Sequence, residues 1–137
     1  MKPIPTILPV YAAFLAIFFV VLSIRTIRQR RKLKIGLGDA GNKDMQRVMR
    51  VHANFAEYVP LSLLMIYFVE QSGVYAWFTH ALCLGLLLGR LSHAYGVSQV
   101  KENFRFRVAG TSSTFAVLMA CAAHLLWVQI RVNLPVI

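Results

Sequence analysis

The sequence predicts an all-α integral membrane protein, an up-down bundle of four helices, and three observations point there. Of 137 residues 58% are hydrophobic and only 15% charged, too apolar a balance for a soluble globule of this size. The apolar residues gather into four runs of helix length. The 15 Lys and Arg, set against 5 Asp and Glu, crowd into the connections between alternate runs. A net charge of +10 is compatible with nucleic-acid binding, but that function needs a basic face on a soluble fold, and here the basic residues flank apolar segments. Cys83 and Cys121 lie inside apolar runs, where a free Cys behaves as a small hydrophobe. No disulfide framework, Cys-ligated zinc site or other metal motif is indicated.

The first run, Ile4 to Ile24, holds 21 residues without a charge, enough at about 1.5 Å per residue to cross a hydrocarbon core of about 30 Å. It exceeds a signal-peptide core of roughly 7 to 15 residues and is read as a retained span. The second run, Val51 to Val69, contains Asn54, Glu57 and Pro60; the third covers Val74 to Tyr95 and the fourth Val108 to Val128. With flanking turns, helices are expected at about 4–30, 46–70, 74–97 and 105–130 in a single domain, 1–137. Short connections make consecutive helices antiparallel neighbours.

The connections set the orientation. Arg25 to Arg50 carries nine basic residues against two acids, and the third connection adds Lys101, Arg105 and Arg107, whereas the opposite side has only Lys2 and Arg131. The positive-inside bias therefore puts both termini on the non-cytoplasmic side, with Trp77 and Trp127 at that interface. Gly36-Leu37-Gly38-Asp39-Ala40-Gly41 spells a dinucleotide fingerprint, but lacks the strand and helix that give the motif its mechanism. It reads as a turn, with Gly supplying positive φ and Asp39 or Asn42 starting the second helix.

Arg50, Asn54 and Glu57 recur at i, i+4 and i+7 and share one stripe of the second helix. A charge near the bilayer centre costs roughly 2.5 to 3.5 kcal/mol, so Glu57 is expected to face protein or a watery cavity and to have a cationic partner. Pairing to Arg50 or Arg90 as a simple interhelical clamp is the competing reading. Pro60 can kink the helix beside it. The third helix adds Arg90 and His93, with Val97 one turn on, and Arg107, Thr111 and Thr114 repeat the stripe on the fourth. In an antiparallel bundle Arg28, Arg50, Asn54, Glu57, Arg90, His93 and Arg107 can converge at the cytoplasmic end. Several guanidinium groups around one carboxylate suit a small anionic ligand that also bears an amine. The outer Arg25, Arg30, Arg31, Lys32 and Lys34 read as anchors to the cytoplasmic leaflet, and His80 and His124 as ordinary helix residues.

Arg50-x3-Asn54-x2-Glu57-Tyr58-x-Pro60, Gly89-Arg90-x2-His93 and Arg107-x2-Gly110-Thr111 together resemble the MAPEG family, the membrane-associated proteins in eicosanoid and glutathione metabolism. The likeness covers nearly the whole chain, and the Gly38-Asp39-x-Gly41 loop is similar to the bacterial branch, whose members sit in the inner membrane. The resemblance implies a homotrimer with glutathione bound as co-substrate between subunits. It implies that Arg28, Arg50, Asn54, Glu57, Tyr58, Arg90, His93 and Arg105 belong to the binding site and that Arg107 lies beside the glutathione sulfur. Two departures stand out: Ala53 replaces an arginine of some animal members, and Val97 stands where several carry a Tyr.

On this reading Arg107 favours the thiolate of a thiol whose free pKa is about 8.5. The thiolate attacks a lipophilic electrophile or a lipid hydroperoxide arriving from the bilayer. Two alternatives compete with it. One is a non-catalytic membrane protein that binds glutathione or lipid. The other is a small multidrug-type transporter using Glu57, against which the neighbouring arginines argue because they repel a cationic drug.

Overall fold

A computed structural model describes residues 4–101 and 103–133, and among these the regular structure is entirely helical. Four helices follow one another: α1 Leu8–Leu33, α2 Lys43–Gln71, α3 Ala76–Ser98 and α4 Phe104–Asn133. Each overlaps its expected range, and α2 begins three residues before residue 46. Lys2, counted above on the non-cytoplasmic side, lies outside the described residues. α1 and α4, of 26 and 30 residues, are long and apolar enough to cross a membrane by length and composition. α2 and α3 have comparable length but are diluted by polar residues, Asn54, Glu57, Arg90 and His93 among them.

The turn chemistry follows the sequence. α1 stops at Lys34, which takes the left-handed φ of 55° and returns its N–H to the carbonyls of Arg30 and Arg31. Gly38 (φ 66°) and Gly41 (φ 72°) supply the positive φ of the following turn, and Asp39 Oδ1 accepts the Gly41 N–H at 2.9 Å. Asn42 then caps α2, its side-chain oxygen accepting from the Asp44 and Met45 N–H groups at 3.0 Å. Pro60 sits within α2 without ending it. At the other end, Glu70 reaches from α2 to the free first turn of α1 and accepts from the N–H groups of Thr6, Ile7 and Leu8 at 2.9, 2.9 and 3.1 Å. That clasp fixes α1 and α2 antiparallel.

The core is built from Leu8, Leu15 and Leu22 of α1, Val51, Phe55, Val59, Ile66 and Val69 of α2, Leu82, Leu86 and Val97 of α3, and Val117 and Cys121 of α4. α1 packs on α2 and α3, α4 packs on α3 and α2, and among the described residues α1 and α4 do not pack together. Small residues bring α3 and α4 closest. A Cβ on Gly110 would lie 2.5 Å from the carbonyl oxygen of Gly89, and one on Gly96 would lie 2.6 Å from the Arg107 backbone nitrogen. The same end of the molecule therefore holds the last turns of α1 and α3 and the first turns of α2 and α4, with Arg25 of α1 donating to Ser98 Oγ of α3 at 2.7 Å.

The outward faces are apolar. Val10, Phe14, Ile17 and Val20 of α1, Leu84 and Leu88 of α3, and Phe115, Met119 and Leu126 of α4 are exposed, as are Trp77 and Trp127. Arg131 lies over the Trp127 ring, 4.7 Å from its centroid. Histidines off the site have local partners: Ser23 Oγ meets His52 Nε2 at 3.0 Å, Tyr11 OH meets His80 Nδ1 at 3.1 Å, and Ser72 Oγ meets His124 Nε2 at 2.8 Å.

Candidate functional site

Helical period carries one stripe of α2 through Lys43, Arg47, Arg50, Asn54 and Glu57, and this stripe forms one wall of a cleft. His93 and Val97 of α3 and Arg107 of α4 form the other. The cleft measures about 340 Å³, within the range of small-molecule sites of roughly 300 to 1,000 Å³. Its lining has four cations, Lys43, Arg47, Arg50 and Arg107, and one carboxylate, Glu57. Its potential is therefore strongly positive around a single acceptor of negative charge.

Local contacts hold each wall. His93 is only 6% exposed, beneath the point where Gly110 crosses α3. Arg107 opens α4 in the turn that Asn103 starts, its backbone N–H donating to the Asn103 carbonyl at 3.1 Å, and its guanidinium lies 6.0 Å from the centroid of the Phe104 ring. Thr111 Oγ1 folds back to the Arg107 carbonyl at 3.2 Å. Arg47 is the cation of the one salt bridge among the described residues, 2.7 Å from Asp44 Oδ1, one turn away on the same helix.

Glu57 is exposed on the cleft and makes no ion pair shorter than 4 Å among the described residues. The expected cationic partner is therefore not in contact with it, and the interhelical clamp to Arg50 or Arg90 is not formed. The reason is geometric. Arg50 points into the cleft from the same stripe, and Arg90 is engaged elsewhere.

Arg90 is buried, 2% exposed, inside the bundle. Its Nη1 donates to Asn54 Oδ1 at 2.6 Å and its Nη2 to the Gly110 carbonyl at 2.9 Å. The ring of Tyr58 is 5.8 Å from its guanidinium carbon, and its Nε has no partner among the described residues. Arg90 and Tyr58 thus form a layer behind the cleft wall and are not part of its lining. Tyr58 turns toward α4, its ring 5.5 Å from that of Phe115.

Of the site residues drawn from the sequence, the fold brings Arg50, Asn54, Glu57, His93 and Arg107 into one cleft. Arg105 is exposed nearby on the first turn of α4, outside the lining. Arg28 does not join them: it lies on the outer side of α1 in a separate recess with Val21, Ile24, Arg25, Gln29 and Lys32. α1 buries Leu8, Leu15 and Leu22, a stripe that continues to Gln29, and Arg28 is turned roughly 100° away from it. Lys43, Gln46 and Arg47 are lining residues that the site reading left out. Asn42 as an N-cap was the signal, because it starts α2 a turn earlier and extends the Arg50 stripe backwards.

Comparison with known proteins gives one family. The MAPEG family model matches residues 8–127 of this chain. Two relatives share the name "Inner membrane protein YecN", one from Escherichia coli strain K12 and one from Escherichia coli O6:H1 strain CFT073. Each is 32% identical over 117 residues, covering 85% of this chain and 88% of the relative.

Proposed function

The chain belongs to the MAPEG family, and on that premise we propose that it is a glutathione-dependent transferase of the bacterial inner membrane, acting on a lipophilic electrophile. The observation that supports this reading is the cleft itself: Arg50, Asn54, Glu57, His93 and Arg107 face one space of about 340 Å³ at the basic end of the bundle. Glutathione offers two carboxylates, an ammonium, two peptide groups and a thiol. Arg50 and Asn54 donate to its carboxylate and carbonyl oxygens, and Glu57 receives its ammonium. The inner-membrane setting rests on the name of the relatives and on the apolar spans α1 and α4. The basic connections then face the cytoplasm, where glutathione is available, and both termini face away from it.

Arg107 is the proposed catalytic residue. A guanidinium within about 4 to 6 Å of a thiol favours the thiolate and lowers its pKa by about 1 to 3 units. The thiol proton passes to water, and the sulfur attacks the electrophilic carbon. A carbon–sulfur bond forms, the bond to the leaving group breaks, and the leaving group departs with the electron pair. With a second glutathione, the same thiolate reduces a lipid hydroperoxide to alcohol, water and glutathione disulfide. The lipophilic acceptor reaches the sulfur from the bilayer, consistent with a cleft beside long apolar helix faces.

The assembly we propose is a homotrimer. Glu57 and Arg50 are exposed on the open side of the cleft and Arg28 lies on the outside of α1, so a neighbouring copy closing that side brings its own Arg28 toward the ligand. Chemical cross-linking in native membranes tests the assembly, and glutathione conjugation of a dinitrohalobenzene-type electrophile by the purified chain tests the activity.

A further inference from the structure

A guanidinium only donates hydrogen bonds. Arg90 Nη1 lies 2.6 Å from Asn54 Oδ1, so the oxygen end of the Asn54 carboxamide is committed to α3 and its amide nitrogen is turned the other way. Asn54 is part of the cleft wall, and among the described residues its amide nitrogen has no partner. The arrangement is held because Arg90 is a buried cation with no carboxylate within 4 Å among the described residues. Among the described residues its partners are neutral groups: the Asn54 oxygen, the Gly110 carbonyl at 2.9 Å and the face of Tyr58. A buried charge orients every dipole that can turn its negative end inward, and rotating the Asn54 amide would point N–H groups at a guanidinium. The close crossing at Gly89 and Gly110 is what lets Arg90 reach both partners.

We propose that Arg90 is a positioning residue that makes Asn54 an obligate donor. The cleft then presents N–H groups from Arg50, Asn54 and Arg107 and a single carboxylate acceptor, Glu57. The ligand group opposite Asn54 must accept: it is a carboxylate or a peptide carbonyl, never an amine. This deepens the glutathione reading and rests on it for the identity of the ligand, while the orientation of the amide stands apart from any ligand.

Two measurements on the full chain in detergent separate these levels. Asn54→Asp is nearly isosteric, keeps an oxygen for Arg90 and gives it a counter-ion, but replaces the donor in the cleft by a carboxylate. Its thermal midpoint is expected at or above wild type, with glutathione affinity by calorimetry at least tenfold weaker. If Arg90 and Asn54 were only a structural pair, this variant would bind glutathione as well as wild type, and that result overturns the proposal. The orientation is read without ligand in protein labelled with 15N-asparagine, where the Asn54 side-chain signal is identified by its loss in N54D. Arg90→Met, or Arg90→Lys should the first not fold, is expected to shift that signal while leaving the signal of Asn42, the cap of α2, in place. An unmoved Asn54 signal overturns the proposal whatever glutathione does. A signal that moves in the Arg90 variant, together with a wild-type protein that does not bind glutathione, supports the positioning role and rejects the glutathione reading.

Discussion

Gly110 of α4 meets Gly89 of α3 backbone to backbone: a Cβ on Gly110 would lie 2.5 Å from the Gly89 carbonyl oxygen and 2.5 Å from the His93 nitrogen. No side chain at that point can move aside to make room. This contact sets the crossing of α3 and α4, and with it the separation of His93 from Arg107 across the cleft. Gly110→Ala is expected to lose about 1 to 3 kcal/mol, the usual cost of overpacking a tight core, and to lose glutathione binding with it. Gly36→Ala, at a position with open space around it, is the control and should melt within a degree or two of wild type. Thermal unfolding in detergent reads both.

Arg107→Ala should remove most conjugation while leaving much of the binding. Without the guanidinium, the bound thiol returns toward its free pKa of about 8.5. The sign follows directly: the midpoint of the rate-against-pH curve moves upward by about 1 to 3 units. At neutral pH the turnover falls by roughly tenfold or more, since each unit of pKa is worth a factor of about ten in thiolate while the thiol dominates. Stopped assays across pH with a dinitrohalobenzene-type electrophile measure it, and an unshifted profile removes Arg107 from the chemistry.

Glu57→Gln separates a binding acid from a structural one. Glu57 makes no ion pair within the chain among the described residues, so neutralising it is expected to leave the melting temperature of a single copy nearly unchanged. A charge-assisted hydrogen bond to the ligand ammonium is worth about 1.5 to 3 kcal/mol, so glutathione affinity should drop roughly 10- to 100-fold. A glutathione analogue without the α-amino group should bind wild type and variant alike. Calorimetry with both ligands makes the comparison.

Glu70→Gln acts at the far end of the bundle. The carboxylate accepts three N–H groups from the start of α1 through both its oxygens, and an uncharged amide, whose NH2 cannot accept, loses the charge-dipole part of that cap and the bonds to one oxygen, together about 0.5 to 2 kcal/mol. The variant should melt lower and conjugate normally, because Glu70 and the cleft lie at opposite ends of α2.

The stripe Arg50, Asn54 and Glu57 was legible because a helix of 3.6 residues per turn leaves no other arrangement, and the bases in alternate connections are consistent with the end at which His93 and Arg107 meet it. The role of Arg90 was not legible. Its spacing from His93 puts both on one side of α3, and only the packing of α4 through Gly110 decides that His93 reaches the cleft while Arg90 stays behind Asn54. Arg28 illustrates the opposite limit: its place along α1 is right for the site, but the direction it faces depends on which stripe of an almost uniformly apolar helix is buried. A run such as Phe14 to Val21 gives that choice no clear periodicity.

The most direct measurement adds millimolar glutathione to the purified protein near neutral pH while recording the ultraviolet thiolate band and the melting temperature together. A thiolate band that is absent in Arg107→Ala, with a rise in melting temperature for wild type, is the expected result. No band and no stabilisation by glutathione, together with stabilisation by a lipophilic cation, would contradict the proposed function and favour a transporter built around Glu57.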